Sequence, residues 1–158
     1  MEHNELRKYR WAESDFETME WHDCRIYAIA LDSEKFELMF DIDYIIEWVK
    51  PEANTPYFKF WVVPATLVFK NVRNINISAD SVDLIIQSIS RDDPSEPKNA
   101  NYVGGSLEYR WTIETTNGEI AFYSIAYEQF ARESPVLLDS QTIGLTARNG
   151  TSFARRIS

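Results

Sequence analysis

The chain reads as a mainly β protein, an antiparallel β-sandwich or rolled β-barrel of about eight strands with one or two short helices. Three observations predict this. Short alternating segments recur at close spacing. Aromatic residues make up 14% of the chain and fall on strand faces. No helix-length amphipathic segment links the strands, as a parallel α/β sheet would require. At 158 residues the chain has the size of a single domain, 1–158, with residues 1–10 and 150–158 expected as flexible ends.

The elements follow in order. Ser14-Asp15-Phe16-Glu17 fits a capping box, so a turn or two of helix is expected over 15–20. Cys24 to Asp32 is apolar on both faces and predicts a central strand. Ser33-Glu34-Lys35 turns into Phe36–Asp43, where Phe36, Leu38, Phe40 and Ile42 share one face and Glu37, Met39, Asp41 and Asp43 the other. Pro51 to Pro56 is a loop. Tyr57–Val63 and Ala65–Val72 read as two strands separated by Pro64, which has no N–H to give to a ladder. Asn74–Ser78 is a short strand with Ile75 and Ile77 inward. Asp80–Ser90 fits a strand through Val82, Leu84 and Ile86, and a helix through Ile85 and Ile89; the strand is the reading taken.

Arg91 to Gly105 is expected as a long exposed loop. A hairpin follows, in which Leu107, Tyr109, Trp111 and Ile113 alternate with polar residues. With Asn117-Gly118 as a type I′ turn, Ile113 pairs with Phe122, Trp111 with Ser124 and Tyr109 with Ala126. Pro135–Leu138 is a last short element.

The net charge is -9. From Ala12 to Glu52 there are twelve acidic residues and three basic ones, Arg25, Lys35 and Lys50, so this third alone carries the whole net charge. Such a surface repels nucleic acid and attracts a basic protein partner, although acidity also serves solubility. No apolar run is long enough to span a bilayer and the N-terminal residues carry no apolar signal segment, so no membrane contact and a cytoplasmic location are expected. The single cysteine, Cys24, rules out an internal disulfide and a cysteine zinc cluster. It reads as a small buried hydrophobe rather than a nucleophile. The C-terminal Arg148, Arg155 and Arg156 are too few for nucleic acid and are expected to pair with the acidic third or to fray.

Trp21-His22-Asp23, the run Phe40-Asp41-Ile42-Asp43-Tyr44-Ile45 with Glu47-Trp48, and Pro64-Ala65-Thr66-Leu67-Val68-Phe69 together resemble a group of uncharacterised small bacterial proteins. Gln141 and the run Arg148-Asn149-Gly150-Thr151-Ser152-Phe153 are similar to that group's ending, with Asn149 where a second glycine is expected. The resemblance spans most of the chain and implies no activity. Size and acidity are like those of bacterial immunity proteins, a likeness of class alone.

The candidate site residues are His22, Asp23, Asp41, Asp43, Trp48, Tyr57 and Trp61. Asp41 and Asp43 leave one strand face about 7 Å apart. A divalent cation would neutralise them, with metal candidates His22, Asp41 and Asp43 and Asp23 as a further ligand. The competing reading ends the strand at Asp43 and leaves Asp41 solvated or bonded to backbone. His22 is read as a buried imidazole bonded to backbone or Asp23, or else as an acid–base group in a cleft near the aspartates. Trp48, Tyr57 and Trp61 offer either a ligand or subunit contact or a strand covered on both sides. No catalytic residue and no cofactor are assigned. Three classes stand: a non-enzymatic binding module, immunity-like, for a basic partner; a homodimeric β protein with a small ligand; and a metal-assisted hydrolase using His22, Asp23, Asp41 and Asp43.

Overall fold

The computed structural model describes residues 8–97 and 106–156. Among these described residues ten strands form one antiparallel sheet that is not closed into a barrel. They are β1 Arg10–Ala12, β2 Arg25–Asp32, β3 Glu37–Val49, β4 Lys59–Lys70 and β5 Arg73–Ala79, then β6 Leu84–Ser95, β7 Glu108–Thr115, β8 Gly118–Ser124, β9 Ala126–Ala131 and β10 Val136–Leu138. The one helical element among the described residues is a short 3-10 turn, Glu13–Thr18, opened by the Asp15 carboxylate accepting the Ala12 N–H at 2.9 Å. No helix among the described residues is long and apolar enough to cross a membrane.

The strand order is β1-β9-β4-β3-β2-β6-β7-β8-β5, with β10 beside β4. The sheet folds into two facing layers. One corner lies at β2 and β6, which pair only at Arg25–Ile85 and Ile26–Leu84. The other is a continuous bent ribbon: β4 pairs with β9 from Ala65–Ala131 to Lys70–Ala126, and β5 takes up the pairing with β8 from Arg73–Tyr123 to Ala79–Gly118. The core fills the space between the layers. Phe69 of β4 stands 4.6 Å from Phe122 and 5.0 Å from Trp111, ring to ring, across that space. Leu38, Phe40, Ile42 and Leu67 line the same interior with no exposure, the alternation that a half-covered strand requires.

Four expectations are corrected. Tyr57–Val63 and Ala65–Val72 are not two strands: β4 runs straight through Pro64. On that side β10 pairs with residues 60–62 and β9 with 65–70, so Pro64 falls in the gap between two partners, where no N–H is needed. Its carbonyl accepts the Arg132 N–H at 2.9 Å. The hairpin pairs Ile113 with Ile120, Trp111 with Phe122 and Tyr109 with Ser124, two residues from the expected register, with Thr116 and Asn117 as the turn. The same side chains still face the core, because a shift of two preserves the faces. Ile75 and Ile77 sit on the exposed edge strand β5 instead of inside. Of the strand expected over 80–90 only the part from Leu84 is found, with Val82 exposed ahead of it, and β6 continues to Ser95 through the start of the expected loop, whose residues 98–105 lie outside the described residues.

Gly118 is needed in the strand, not in the turn. It faces Ala79, and a Cβ there would fall 1.9 Å from the Ser78 carbonyl oxygen. Gly118→Val is expected to lower stability by about 1–3 kcal/mol in urea unfolding, because β5 must back away. A loss below about 0.5 kcal/mol, the size of an ordinary surface substitution, contradicts the close approach.

Candidate functional site

Asp41 and Asp43 point away from the core, opposite Thr66 and Pro64 of β4, yet both are fully buried. Residues 139–156, running back over the outer face of β3 and β4, cover them. Arg148, itself without side-chain exposure, reaches both carboxylates. Its Nη2 and Nη1 donate to the Asp41 oxygens at 2.8 and 2.9 Å, and its Nε donates to Asp43 at 3.1 Å. Further bonds to the Ile42 and Gly150 carbonyls, at 3.1 and 3.2 Å, use the whole donor fork of the guanidinium.

Arg132 adds a second cation, donating to Asp41 at 2.7 Å and to the Thr66 hydroxyl at 2.9 Å. Thr66 in turn donates to the Ala154 carbonyl at 2.6 Å, and the Ser152 N–H meets Asp41 at 2.9 Å. Asp43 accepts from the Tyr27 hydroxyl and the Ile143 N–H, both at 2.7 Å. Two carboxylates and two guanidinium groups thus balance inside one hydrogen-bonded network, the condition for burying charge. Residues 150–156, expected as a loose end, are tied down by it, and Arg155 pairs with Glu37.

Electrostatics follow from the geometry. Burial alone would lower the Arg148 pKa, but Asp41 and Asp43 beside it raise it. Burial, followed by the bond to Asp43, pushes the Tyr27 hydroxyl up to about 12. Asn149 has φ +61°, a left-handed conformation that asparagine tolerates nearly as glycine does. That accounts for asparagine where glycine was expected.

The other predicted residues lie elsewhere. His22, with its side chain 53% exposed, bonds the Gln87 carbonyl through Nδ1 at 3.2 Å and stands 3.5 Å from Asp23. The expected burial is therefore corrected, while both expected kinds of partner are present. Among the described residues no three His, Cys, Asp or Glu side chains gather as a metal would require; the aspartates hold guanidinium groups, and the His22 ring meets Gln87 of β6 and Asp23 instead. Cys24 is fully buried, and burial pushes its thiol up to about 12, out of reach as a nucleophile near neutral pH. Trp48 and Tyr57 are 41% and 76% exposed at the β3–β4 tip, where Trp48 packs edge-on against Phe58 and Phe60. Trp61 is half-buried.

The charge distribution moves on folding. Of the acidic third, Glu13 pairs with Arg91, Asp15 with Lys8, Glu37 with Arg155, and Asp41 and Asp43 with the buried arginines. Arg91, Arg132, Arg148 and Arg155 are drawn there from the rest of the chain. Glu17, Glu20, Glu34, Glu47 and Glu52 of that third stay exposed, and the second layer adds Asp80, Asp92, Asp93, Glu96, Glu114 and Glu119 at its surface. On its outer face Glu114 stands directly opposite Glu119, flanked by Ser88 and Ser78. Like charges so paired are destabilising by themselves. Sequence reasoning missed Arg132, Tyr27 and this pair; the glutamates emerge only with the correct hairpin register.

No family model, curated protein or solved structure matches the chain. The assignment of function therefore rests on the geometry above.

Two exposed or partly covered ion clusters carry a pH signature. Bonds from Lys8 and the Ala12 N–H hold the Asp15 carboxyl below its ordinary value. Burial would raise Glu128, but Lys70 and Arg10 more than offset it and hold it low. Depressed carboxyls stabilise the fold above their unfolded pKa and cease to do so as pH falls through the folded value. Unfolding free energy is expected to be level from pH 7 to about 5 and to fall below about 4. A rise on acidification below that point contradicts the assignment.

Proposed function

We propose that the protein is a non-enzymatic binding module, immunity-like and cytoplasmic, whose acidic second layer receives a basic protein partner. The observation that carries this reading is the Glu114–Glu119 pair: two carboxylates face each other on an uncovered sheet face, with short serines on either side. An incoming lysine or arginine relieves that repulsion, so the face gains from binding what it loses in isolation. The first layer, by contrast, has its outer face covered by residues 139–156, with Glu37, Asp41, Asp43 and Glu128 there paired to arginine or lysine.

The test uses fluorescein-labelled oligolysine as the cationic probe. The double substitution Glu114→Lys with Glu119→Lys is compared with Glu17→Lys with Glu34→Lys, which changes the net charge equally at exposed positions of the other elements. The first pair is expected to weaken binding by about tenfold more than the second, and binding by the wild type should fall steeply with salt. Equal loss in both doubles reduces the face to general acidity. A second reading, a homodimer through Trp48, Tyr57 and Phe58, is favoured by the exposure of that aromatic tip; a monomeric mass in sedimentation at high concentration removes it.

A further inference from the structure

The two ends of the strand order are unequal. β1 at one end is three residues long, and the lateral β10 is also three, preceded by Pro135. β5 at the other end runs seven residues, Arg73–Ala79, and among the described residues pairs with β8 on one side only. Proteins usually blunt such an edge with lysine, proline, an inward charge or a bulge. Here Asn74-Ile75-Asn76-Ile77-Ser78-Ala79 carries no charge and no proline. Both devices present sit at its start: Arg73, held by the buried Glu108, and a bulge between Arg73 and Asn76, with Asn74 at φ +53°, which leaves Asn76–Ala79 in regular register.

The two faces of this edge differ. Ile77 lies opposite the buried Ile120 and so belongs to the interior face, yet it is 47% exposed; Ile75 beside it is also exposed. Phe36, whose carbonyl accepts the Val72 N–H at 2.9 Å, adds a further exposed apolar side chain at the head of the strand. On the opposite face Asn76 and Ser78 are short, and Ser78 is the cross-strand neighbour of Glu119. A lysine on a strand added outside β5 has only Ser78 to reach over before meeting Glu119, with Asp80 at the strand's end.

We propose that β5 is an acceptor edge for an extended segment of a basic partner, added as an antiparallel or parallel strand with apolar and lysine or arginine residues in alternation. Backbone hydrogen bonds supply the pairing; the apolar residues cover Ile75 and Ile77, and the cations lie over Ser78 toward Glu119 and Glu114. This rests on the basic-partner reading and specifies how the partner is held. It needs no pocket, because alternation on the two faces of a strand provides the selectivity.

The probes are an alternating valine–lysine peptide and a block peptide of the same composition, with lysines and valines segregated. Binding to the full chain is followed by fluorescence anisotropy, and amide hydrogen exchange reports on β5. The alternating peptide is expected to bind at least about tenfold more tightly than the block peptide and to slow exchange within 73–79. Ile77→Lys is expected to abolish that preference without altering the melting temperature; should it unfold the chain, Ser78→Lys on the polar face serves in its place. Equal binding of the two peptides with unchanged β5 exchange overturns strand addition and leaves the acidic face standing. Failure of both peptides at low salt overturns the basic-partner reading as well.

Discussion

Arg148→Ala is expected to lose about 3–5 kcal/mol in urea unfolding, the cost of breaking a buried ion pair from one side. Of the two unexposed carboxylates, the substitution leaves Asp41 paired with Arg132, and Asp43 with the neutral Tyr27 hydroxyl and Ile143 N–H. It also removes the guanidinium that lies 4.1 Å over the Tyr27 ring and the bonds that fix 139–156 against β3. Combining it with Asp43→Asn is expected to restore part of the loss, since an uncompensated charge is then neutral; a double-mutant cycle measures that coupling. A single-mutant loss under about 1 kcal/mol, the range of an exposed pair, refutes the buried network.

Trp111→Ala ranks second and is expected to cost about 3–5 kcal/mol, the range for deleting a large buried aromatic side chain. Trp111 has no exposure, and its ring packs against Phe69 of the first layer, Tyr127 of β9 and Phe16 of the 3-10 turn at 5.0–5.9 Å. Its Nε1 donates to the Ser124 carbonyl at 3.1 Å. One side chain therefore bridges both layers and the corner between β8 and β9. Near-ultraviolet circular dichroism should lose its sharp signals together with stability, and retention of both contradicts this central placement.

Much of the fold was legible because strand periodicity is a local signal: Leu38, Phe40 and Ile42 announce a face without knowledge of the rest. The hairpin shows where that signal ends. Registers two residues apart place Trp111 and Ile113 identically, so pattern cannot choose between them. The deciding fact, the approach of Ser78 to Gly118, belongs to a strand some 40 residues away. Pro64 was misread for a similar reason, since its tolerance depends on where two other strands stop. At the site, the spacing of Asp41 and Asp43 placed both on one face, and of the two expectations for the C-terminal arginines, pairing with the acidic third or fraying, Arg148 and Arg155 follow the first. Arg132 was not, because nothing near it in sequence distinguishes it from a surface arginine. The Glu114–Glu119 pair was not legible, since a charge count along the chain ignores which carboxylates folding sets opposite each other.

The network over β3 also bears on how the chain can be made. Asp41 and Asp43 find their cations 91 to 107 positions later. During synthesis β3 and β4 emerge together long before Arg132 and Arg148 exist, and for that interval two carboxylates occupy a face with nothing to neutralise them. Water must stay on that face until the late segment arrives, so the first layer can pair its strands early but can dry its outer side only at the close. A nascent chain arrested between Ala131 and Arg148 should expose this surface to a protease or a holding chaperone, and one released past Arg148 should not.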